Sequence, residues 1–431
     1  MLFKITSTDQ AHNTVIQYYD NITQQVFDDN HRQLSFDNDK YKLLKVDKLI
    51  PSNYELVSFT NQLDHLKIQF GLQCNFHCRY CNQRHDRDFE KNAKIGDYTQ
   101  AVDNLISKLK KANISCKYIT LWGGEPLVYF KLLQVLIPAL KKHFGDQCFI
   151  NTISNGSLLT DEVVDFLTKY DIGFTISHDG PSFNVYRDDH NPLDDDRIVK
   201  CIQRLYDYYQ EHHDDGRDFN PSLSINVVVT PENCNLSQLH SYFTNKIDRD
   251  VKFHFEGIVK CDRDSVNIIS KFDASTAKML QKNVFAAGIS NPNGPYWSIR
   301  KMVSDFMVSI VNGDNTNRYG YSCDANSFGS MSIDLHGNIL ACHGSSPSLN
   351  TLGSIDQNLN LIKNTKITNF HDRKNCDKCP LVMMCKGGCP LVENDDHEIA
   401  CTNLKLWHSA MFVAAWYNLF SLDVKRIEPC Q

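Results

Sequence analysis

Three cysteines spaced Cys74-x3-Cys78-x2-Cys81 follow directly on an apolar run, Leu66–Phe70, that reads as a β-strand. Three thiolates on one short loop suit three irons of a [4Fe–4S] cluster and leave the fourth iron open to a substrate or cofactor. A structural zinc site usually takes four protein ligands as two CxxC-like pairs. This triplet has no nearby partner, so zinc is the lesser alternative. A loop of this kind belongs at the mouth of a sheet, beyond the C-terminal end of its strand.

Between about residue 66 and residue 290, short apolar runs alternate with amphipathic helical patterns, the signature of repeated βα units and a parallel sheet. The runs Leu66–Phe70, Tyr118–Trp122, Phe149–Ser154, Ile172–Ser177, Leu223–Thr230 and Val251–Glu256 read as six strands. Helical spacing is clearest in Tyr98, Val102, Leu105 and Leu109, and in Ile198, Ile202, Leu205 and Tyr209. The expected fold class is α/β, a partial (β/α)6 barrel of the TIM kind over residues 66–290, with function at the C-terminal ends of its strands. Residues 1–65, with apolar stretches such as Leu43–Ile50, read as an ordered extension packed on the barrel, and 291–319 as a bridging linker. From 320 to 405 Gly, Asn, Ser and Cys dominate, as in a loop-rich domain stapled by metal; 406–431 hold a closing helix, Leu406–Leu422, and a tail.

The N-terminus, MLFKITSTDQ, lacks the pattern of a secretory signal, and no apolar run reaches membrane-spanning length. The expected address is the cytoplasm, where a reducing environment argues that 16 cysteines serve metal and not disulfides. Cys323, Cys342, Cys376, Cys379, Cys385, Cys389 and Cys401 form a second group, while Cys116, Cys148, Cys201, Cys234, Cys261 and Cys430 are scattered and read mostly as small buried hydrophobes. A net charge of −6 lacks the basic excess of a nucleic-acid binder, so neither nucleic acid nor membrane is an expected partner.

The CxxxCxxC loop, with Tyr80 before its last cysteine, resembles the hallmark of the radical S-adenosylmethionine (SAM) superfamily. The resemblance continues strand by strand. Gly123, Gly124, Glu125 and Pro126 match the family's GGEP motif, in which glycines allow close backbone approach and the backbone with Glu125 engages the SAM amino group. Any tight βα turn also uses glycine, so it is the position after the second strand that gives the motif weight. Ser154-Asn155-Gly156 resembles the TNG turn, and Ser177-His178-Asp179-Gly180-Pro181 the S-x-D-G-P segment, whose polar groups line the SAM ribose and methionine in relatives. Arg187 resembles the arginine that pairs with the SAM carboxylate, a bidentate task suited to guanidinium. It stands closer to Gly180 than is common, and a surface arginine is the alternative. The chemistry implied is reduction of SAM by the cluster, with a 5′-deoxyadenosyl radical removing a substrate hydrogen.

The second group, Cys323-x13-Gly337-x4-Cys342, then Cys376-x2-Cys379-x5-Cys385-x3-Cys389 and Cys401, resembles the SPASM domain that accompanies radical SAM enzymes acting on ribosomally made peptides or proteins. By resemblance, Cys376, Cys379, Cys385 and Cys401 hold one auxiliary [4Fe–4S] cluster and Cys323, Cys342 and Cys389 another, three clusters with that of the barrel. Many relatives add a cysteine shortly before the first of the seven, and Asn315–Ser322 has none. A non-cysteine or distant ligand, a solvent cap and an open iron that binds the peptide are the alternatives there. Taken alone, the region also fits a zinc ribbon.

These likenesses imply a maturase acting on a ribosomal precursor peptide, with side-chain cross-linking through carbon–carbon or ether bonds, of cyclophane or darobactin type, as the leading expectation. Thioether formation, epimerisation and anaerobic sulfatase maturation compete with it. An electron donor such as flavodoxin or ferredoxin is an implied partner. A leader-recognition domain is normally larger than the 65-residue extension, which points to a separate leader-binding protein or to a sheet edge offered to the peptide. Asp179 and Glu256 are the candidate acid–base residues near strand ends; His254 reads equally as a barrel histidine, and Glu256 as a helix-capping acid. A non-catalytic iron–sulfur or zinc sensor is the reading of another class. It has no need of the SAM-like motifs that follow consecutive strands at the same end as Cys74–Cys81.

Overall fold

The structure is a computed structural model that describes residues 1–36, 58–81, 83, 97–212, 222–257, 271–311, 325, 327, 329–344, 347–366, 368, 370–392 and 394–430. Leu43–Ile50, Cys261, Asn315–Ser322 and Cys323 lie outside the described residues.

The chain opens with an antiparallel meander, β1 (Leu2–Thr8), β2 (Thr14–Asp20) and β3 (Val26–Phe27). Repeated βα units follow: β4 (Gln62–Gln69), α1 (Tyr98–Lys111), β5 (Ser115–Trp122), α2 (Phe130–Phe144), β6 (Phe149–Ser154) and α3 (Asp161–Lys169). The series continues with β7 (Ile172–Ser177), α4 (Asp196–His212), β8 (Leu223–Val229), α5 (Leu236–Ile247) and β9 (Lys252–Gly257). Strands β4 to β9 pair in chain order and in parallel, so the six expected strands form the partial barrel. The helix-facing residues in the middle of these strands are mostly apolar and fully buried, among them Leu66, Ile68, Ile119, Leu121, Ile150, Phe174, Ile225 and Phe253. The helices cover this face with Leu105, Leu136, Leu167, Ile202 and Phe243. Their starts are set by side-chain caps: Asp97, Thr160 and Asn235 accept from the backbone of Gln100, Val163 and Gln238.

Beyond the barrel the architecture departs from the sequence reading. The segment read as a linker contains a helix, α7 (Trp297–Val311), which follows α6 (Ala274–Gly288). The cysteine-rich region is built into the barrel sheet: β10 (Ser330–Asp334) pairs in parallel with β4, placing Ser332 beside Lys67, and β11 (Asn338–Leu340) and β12 (Thr351–Ser354) continue outward as antiparallel strands. The sheet is thereby nine-stranded. The closing helix, α8 (Asn394–Phe420), begins before residue 406 and so crosses the expected boundary. The tail is also ordered, as β13 (Asp423–Pro429), which pairs antiparallel with β1 and joins both ends of the chain in one four-stranded sheet. Among the described residues no helix is long and apolar enough to cross a membrane.

Trp416 of α8 is the peg between that small sheet and the helices. It is fully buried, stacks on Phe412, meets the edge of Tyr19 and donates its indole N–H to Gln17 Oε1 (2.8 Å). Trp416→Ala leaves a cavity and an unpaired amide, and is expected to cost about 3–5 kcal/mol. A thermal melt followed by near-ultraviolet circular dichroism should show a clear drop in midpoint; an unchanged midpoint would mean that the small sheet is not held from this side.

Candidate active site

The cysteine loop after β4 is pinned to each of the next three βα loops. Gly124 N–H donates to Gly71 O (2.9 Å) and Glu125 N–H to Gln73 O (2.8 Å), so the loop after β5 lies directly against it. A Cβ at Gly123 would stand 2.4 Å from Gly71 O and one at Gly124 2.2 Å from Gln73 O, which is why glycine is required at both positions. Asn155 Nδ2 donates to Asn75 Oδ1 (2.9 Å), Asn75 Nδ2 to Ser157 Oγ (2.8 Å), and Arg79 N–H to Tyr186 O (2.7 Å). The three thiols are electrostatic neighbours. Burial pushes the Cys78 thiol up to about 12, against the pull of Arg187 and reinforced by Cys81 and Cys74. Thiols held this way give up their protons to a metal, and three on one loop fit the three-point attachment of a [4Fe–4S] cluster.

Two buried carboxylates brace the mouth. Glu125, 1% exposed, accepts from Ser154 Oγ (2.6 Å) and Leu127 N–H (3.0 Å) on Oε1, and from Asn155 N–H (2.7 Å) on Oε2. Burial raises its pKa and these donors oppose the rise. The carboxylate expected at the SAM amino group is thus also the strut between the loops after β5 and β6, while Pro126 opens the short 3-10 turn Pro126–Tyr129 that Glu125 caps. Asp179 is fully buried and takes four donors: Tyr80 Oη (2.5 Å) and Arg187 Nε (2.9 Å) on Oδ2, Arg187 Nη2 (3.0 Å) and Val228 N–H (3.1 Å) on Oδ1. A carboxylate so saturated holds position and has little capacity to shuttle protons. Arg187 is 8% exposed, which removes the surface-arginine alternative. Its guanidinium lies 5.5 Å from the centre of the Tyr80 ring, and although burial disfavours its charge, Asp179 together with Tyr80 and Cys78 outweighs that and raises its pKa. His178, between Ser177 and Asp179, points away from this network: Gly180 N–H donates to Nδ1 (2.9 Å), Nε2 faces Asn191 Oδ1 (2.8 Å), and burial pushes its pKa down to about 4, so it is a neutral packing histidine.

The face of the sheet away from the helices was passed over in the sequence, and it is polar. Register aligns Lys67, Thr120 and Asn151 in one row, Thr175, Ser224 and Lys252 in another, and Ser177, Asn226 and His254 in a third. Hydrogen bonds cross between strands from His65 to Thr120 (2.8 Å), Asn151 to Thr175 (3.3 Å), Thr175 to Ser224 (3.1 Å) and Asn226 to Glu256 (3.0 Å). A closed TIM barrel fills this space with branched apolar side chains, whereas a polar lining makes it a binding lumen. The signal is present as period-two alternation in HLKIQF, YITLW and KFHFEG.

Residues 68–215 match the radical SAM superfamily. The chain carries a radical SAM domain over that span. The radical SAM cyclopropyl synthase TigE of Paramaledivibacter caminithermalis is 21% identical over 76% of this chain and 68% of its own length. The GTP 3′,8-cyclase of Clostridium perfringens is 30% identical over 24% of this chain and 31% of its own. Among solved structures, native anSMEcpe with bound AdoMet and Cp18Cys peptide shares the fold, with a TM-score of 0.58 at 18% identity over 83% of this chain and 99% of that one. A radical SAM domain implies SAM and a [4Fe–4S] cluster as cofactors.

In this radical SAM enzyme the second cysteine group divides. Cys376, Cys379, Cys385 and Cys401 line one cavity of about 220 Å³ together with His397. Burial, and then their mutual charge, pushes Cys376 up to about 11 and Cys385 to about 12. Among the described residues no trio of Cys, His, Asp or Glu is placed to hold a single metal ion, so these thiols surround a space without closing on a point. Arg373 lies near Cys376, Cys389, Cys385 and Cys401 and donates to Cys389 O (2.8 Å). Cys342 stands apart, at the barrel mouth. Its neighbour His343 accepts from Gln69 Nε2 through its carbonyl (2.8 Å), sets Nδ1 3.3 Å from Lys67 Nζ and meets the Trp122 ring edge-on. Of the scattered cysteines, Cys148, Cys201 and Cys234 are buried as expected, and Cys116 and Cys430 partly so.

Asp179→Asn strands the buried Arg187 charge and is expected to destabilise the fold by about 3–5 kcal/mol. Pairing it with Arg187→Met should recover part of the loss. If thermal denaturation found the double variant no better than the single one, the carboxylate's contacts to Tyr80 and Val228 would outweigh its ion pair.

Proposed function

We propose that this radical SAM enzyme is a maturase that modifies a ribosomally made precursor peptide by joining two of its side chains through a carbon–carbon or ether bond. The observation that carries the reading is the position of the second cysteine group. Its first described strand, β10, extends the barrel sheet beside β4, and the Cys342-His343 turn rests on Gln69 and Trp122 at the mouth. A substrate in the lumen therefore lies between the Cys74–Cys81 loop and the Cys342-His343 turn. TigE, by its name, forms a cyclopropyl group, and anSMEcpe was solved with a peptide, which favours a peptide as the substrate here.

In this reading Cys74, Cys78 and Cys81 hold the SAM cluster, Cys376, Cys379, Cys385 and Cys401 one auxiliary cluster, and Cys342 and Cys389 with Cys323 another. The bound cofactors supply reductive cleavage of SAM to a 5′-deoxyadenosyl radical that takes a hydrogen atom from the substrate. The chain's own part is positional. Asp179, Arg187 and Tyr80 hold the cysteine loop, Glu125 and Asn155 hold the adjoining loops, and the polar lumen orients the target side chain and limits the water around it. A flavodoxin or ferredoxin serves as electron donor, and a separate protein or a free edge of the β13-β1-β2-β3 sheet receives the leader.

The test is iron and sulfide content after anaerobic reconstitution, with reductant-dependent release of 5′-deoxyadenosine, in the wild type and a Cys74/Cys78/Cys81→Ala variant. Content of about twelve irons, falling to about eight in the variant with deoxyadenosine lost, is the expected result. Mass spectrometry of a co-expressed precursor should show loss of a pair of hydrogens; zinc in place of iron and no deoxyadenosine would overturn the reading.

A further inference from the structure

On β8 the Asn226 side chain is 7% exposed, lies on the lumen face, and presents an Oδ1 that meets no donor among the described residues. Its orientation is fixed by Glu256 on β9, because Nδ2 donates to Glu256 Oε1 (3.0 Å) and a reversed amide would set two acceptors against each other. Buried acceptors in native proteins are nearly always satisfied, so a lone one on the lumen face calls for a donor from outside the chain. The neighbouring carboxylate narrows the choice. A neutral hydroxyl or indole N–H would satisfy Asn226 and leave the Glu256 charge uncompensated, whereas a cation bearing several N–H groups satisfies both.

Register sets Asn226 beside Ser177 at the end of β7, and the pair lies on the two strands beyond the last SAM-like motif. The cysteine loop follows β4, and the SAM-like motifs follow β5, β6 and β7. Asn226 and Glu256 belong to the next two strands, on the lumen face beside His254, with Lys252 farther down the same face. We infer that Asn226 and Glu256 form a recognition subsite for a cationic side chain, a lysine ammonium or arginine guanidinium, of the substrate peptide. This rests on the peptide-maturase reading and deepens it. Glu256, a candidate acid or base by sequence, becomes a specificity residue whose charge matches the substrate.

The test uses the reconstituted enzyme with SAM and two probes, N-acetyl-lysinamide and N-acetyl-norleucinamide, titrated by saturation-transfer difference NMR. The lysine probe is expected to bind and the isosteric apolar probe to bind at least about tenfold more weakly, as loss of charge-assisted hydrogen bonds implies. Glu256→Gln and Asn226→Leu should each weaken lysine binding by a similar factor, while Glu256→Asp, which keeps the carboxylate, should retain part of it. SAM affinity, measured by equilibrium dialysis, should stay within about twofold in all three. Equal binding of the two probes overturns the subsite. A loss of SAM affinity in Glu256→Gln does so as well, since the missing donor would then be a SAM hydroxyl. Deoxyadenosine release is followed in the same samples: its absence overturns the maturase reading, whereas its presence without lysine binding overturns the subsite alone.

Discussion

The shared register of six parallel strands is the constraint on which the rest of the molecule depends. In such a sheet every second residue faces the same way on all strands. Here one face carries Leu66, Ile119, Ile150, Phe174 and Ile225 against helices, and the other carries Lys67, Thr120, Asn151, Thr175 and Asn226. A slip of one residue in any strand would drive a polar or charged side chain under a helix and an isoleucine into the lumen, so the apolar face enforces the polar one. Register also levels the C-terminal ends of the strands. The cysteine loop and the three loops carrying SAM-like motifs are thereby delivered to one mouth.

Once there, the loops are joined by groups that have no other outlet. Glu125 and Asp179 are buried carboxylates whose desolvation is offset only by the donors around them, and each takes those donors from a neighbouring loop or strand. The cysteine loop participates through Tyr80, so its position is tied to Asp179 before a cluster arrives. Such cross-bracing favours a pre-organised thiol set over one that closes around its cluster, because the cost of ordering the loop is met during folding. It also assigns the two carboxylates to positioning, which turns attention for recognition toward β8 and β9.

The barrel was legible because each strand is a compact apolar run between helices of clear period, and the cysteine spacing marked the mouth. The same reading weighed apolar runs alone, and so missed the alternation within them that gives Asn226, Ser224 and Lys67 their place. Long-range pairing was not legible. Strand β13, Asp-Val-Lys-Arg-Ile-Glu-Pro, has only two aliphatic residues, and it is a strand because β1, at the other end of the chain, supplies its partner. Strand β10 finds β4 across most of the sequence, with no local signal for the match. Helix α7 was read as a linker because its apolar residues surround it and give no single stripe. Arg187 was doubtful on spacing, which says nothing of the turn Phe183–Tyr186 that brings it back over Asp179.

The join between β10 and β4 has a mechanical consequence. Because the cysteine-rich half continues the barrel's own hydrogen-bonded sheet, it cannot swing away from the mouth without breaking a parallel ladder of five residue pairs. The Cys342-His343 turn is anchored to Gln69, five residues before Cys74, and against Trp122, immediately before Gly123. Any displacement of that turn thus bears on both ends of the loop contact that sets the cysteine triplet. The position of Cys342 is therefore coupled to the cysteine triplet through β4 and β5 and not through a flexible hinge.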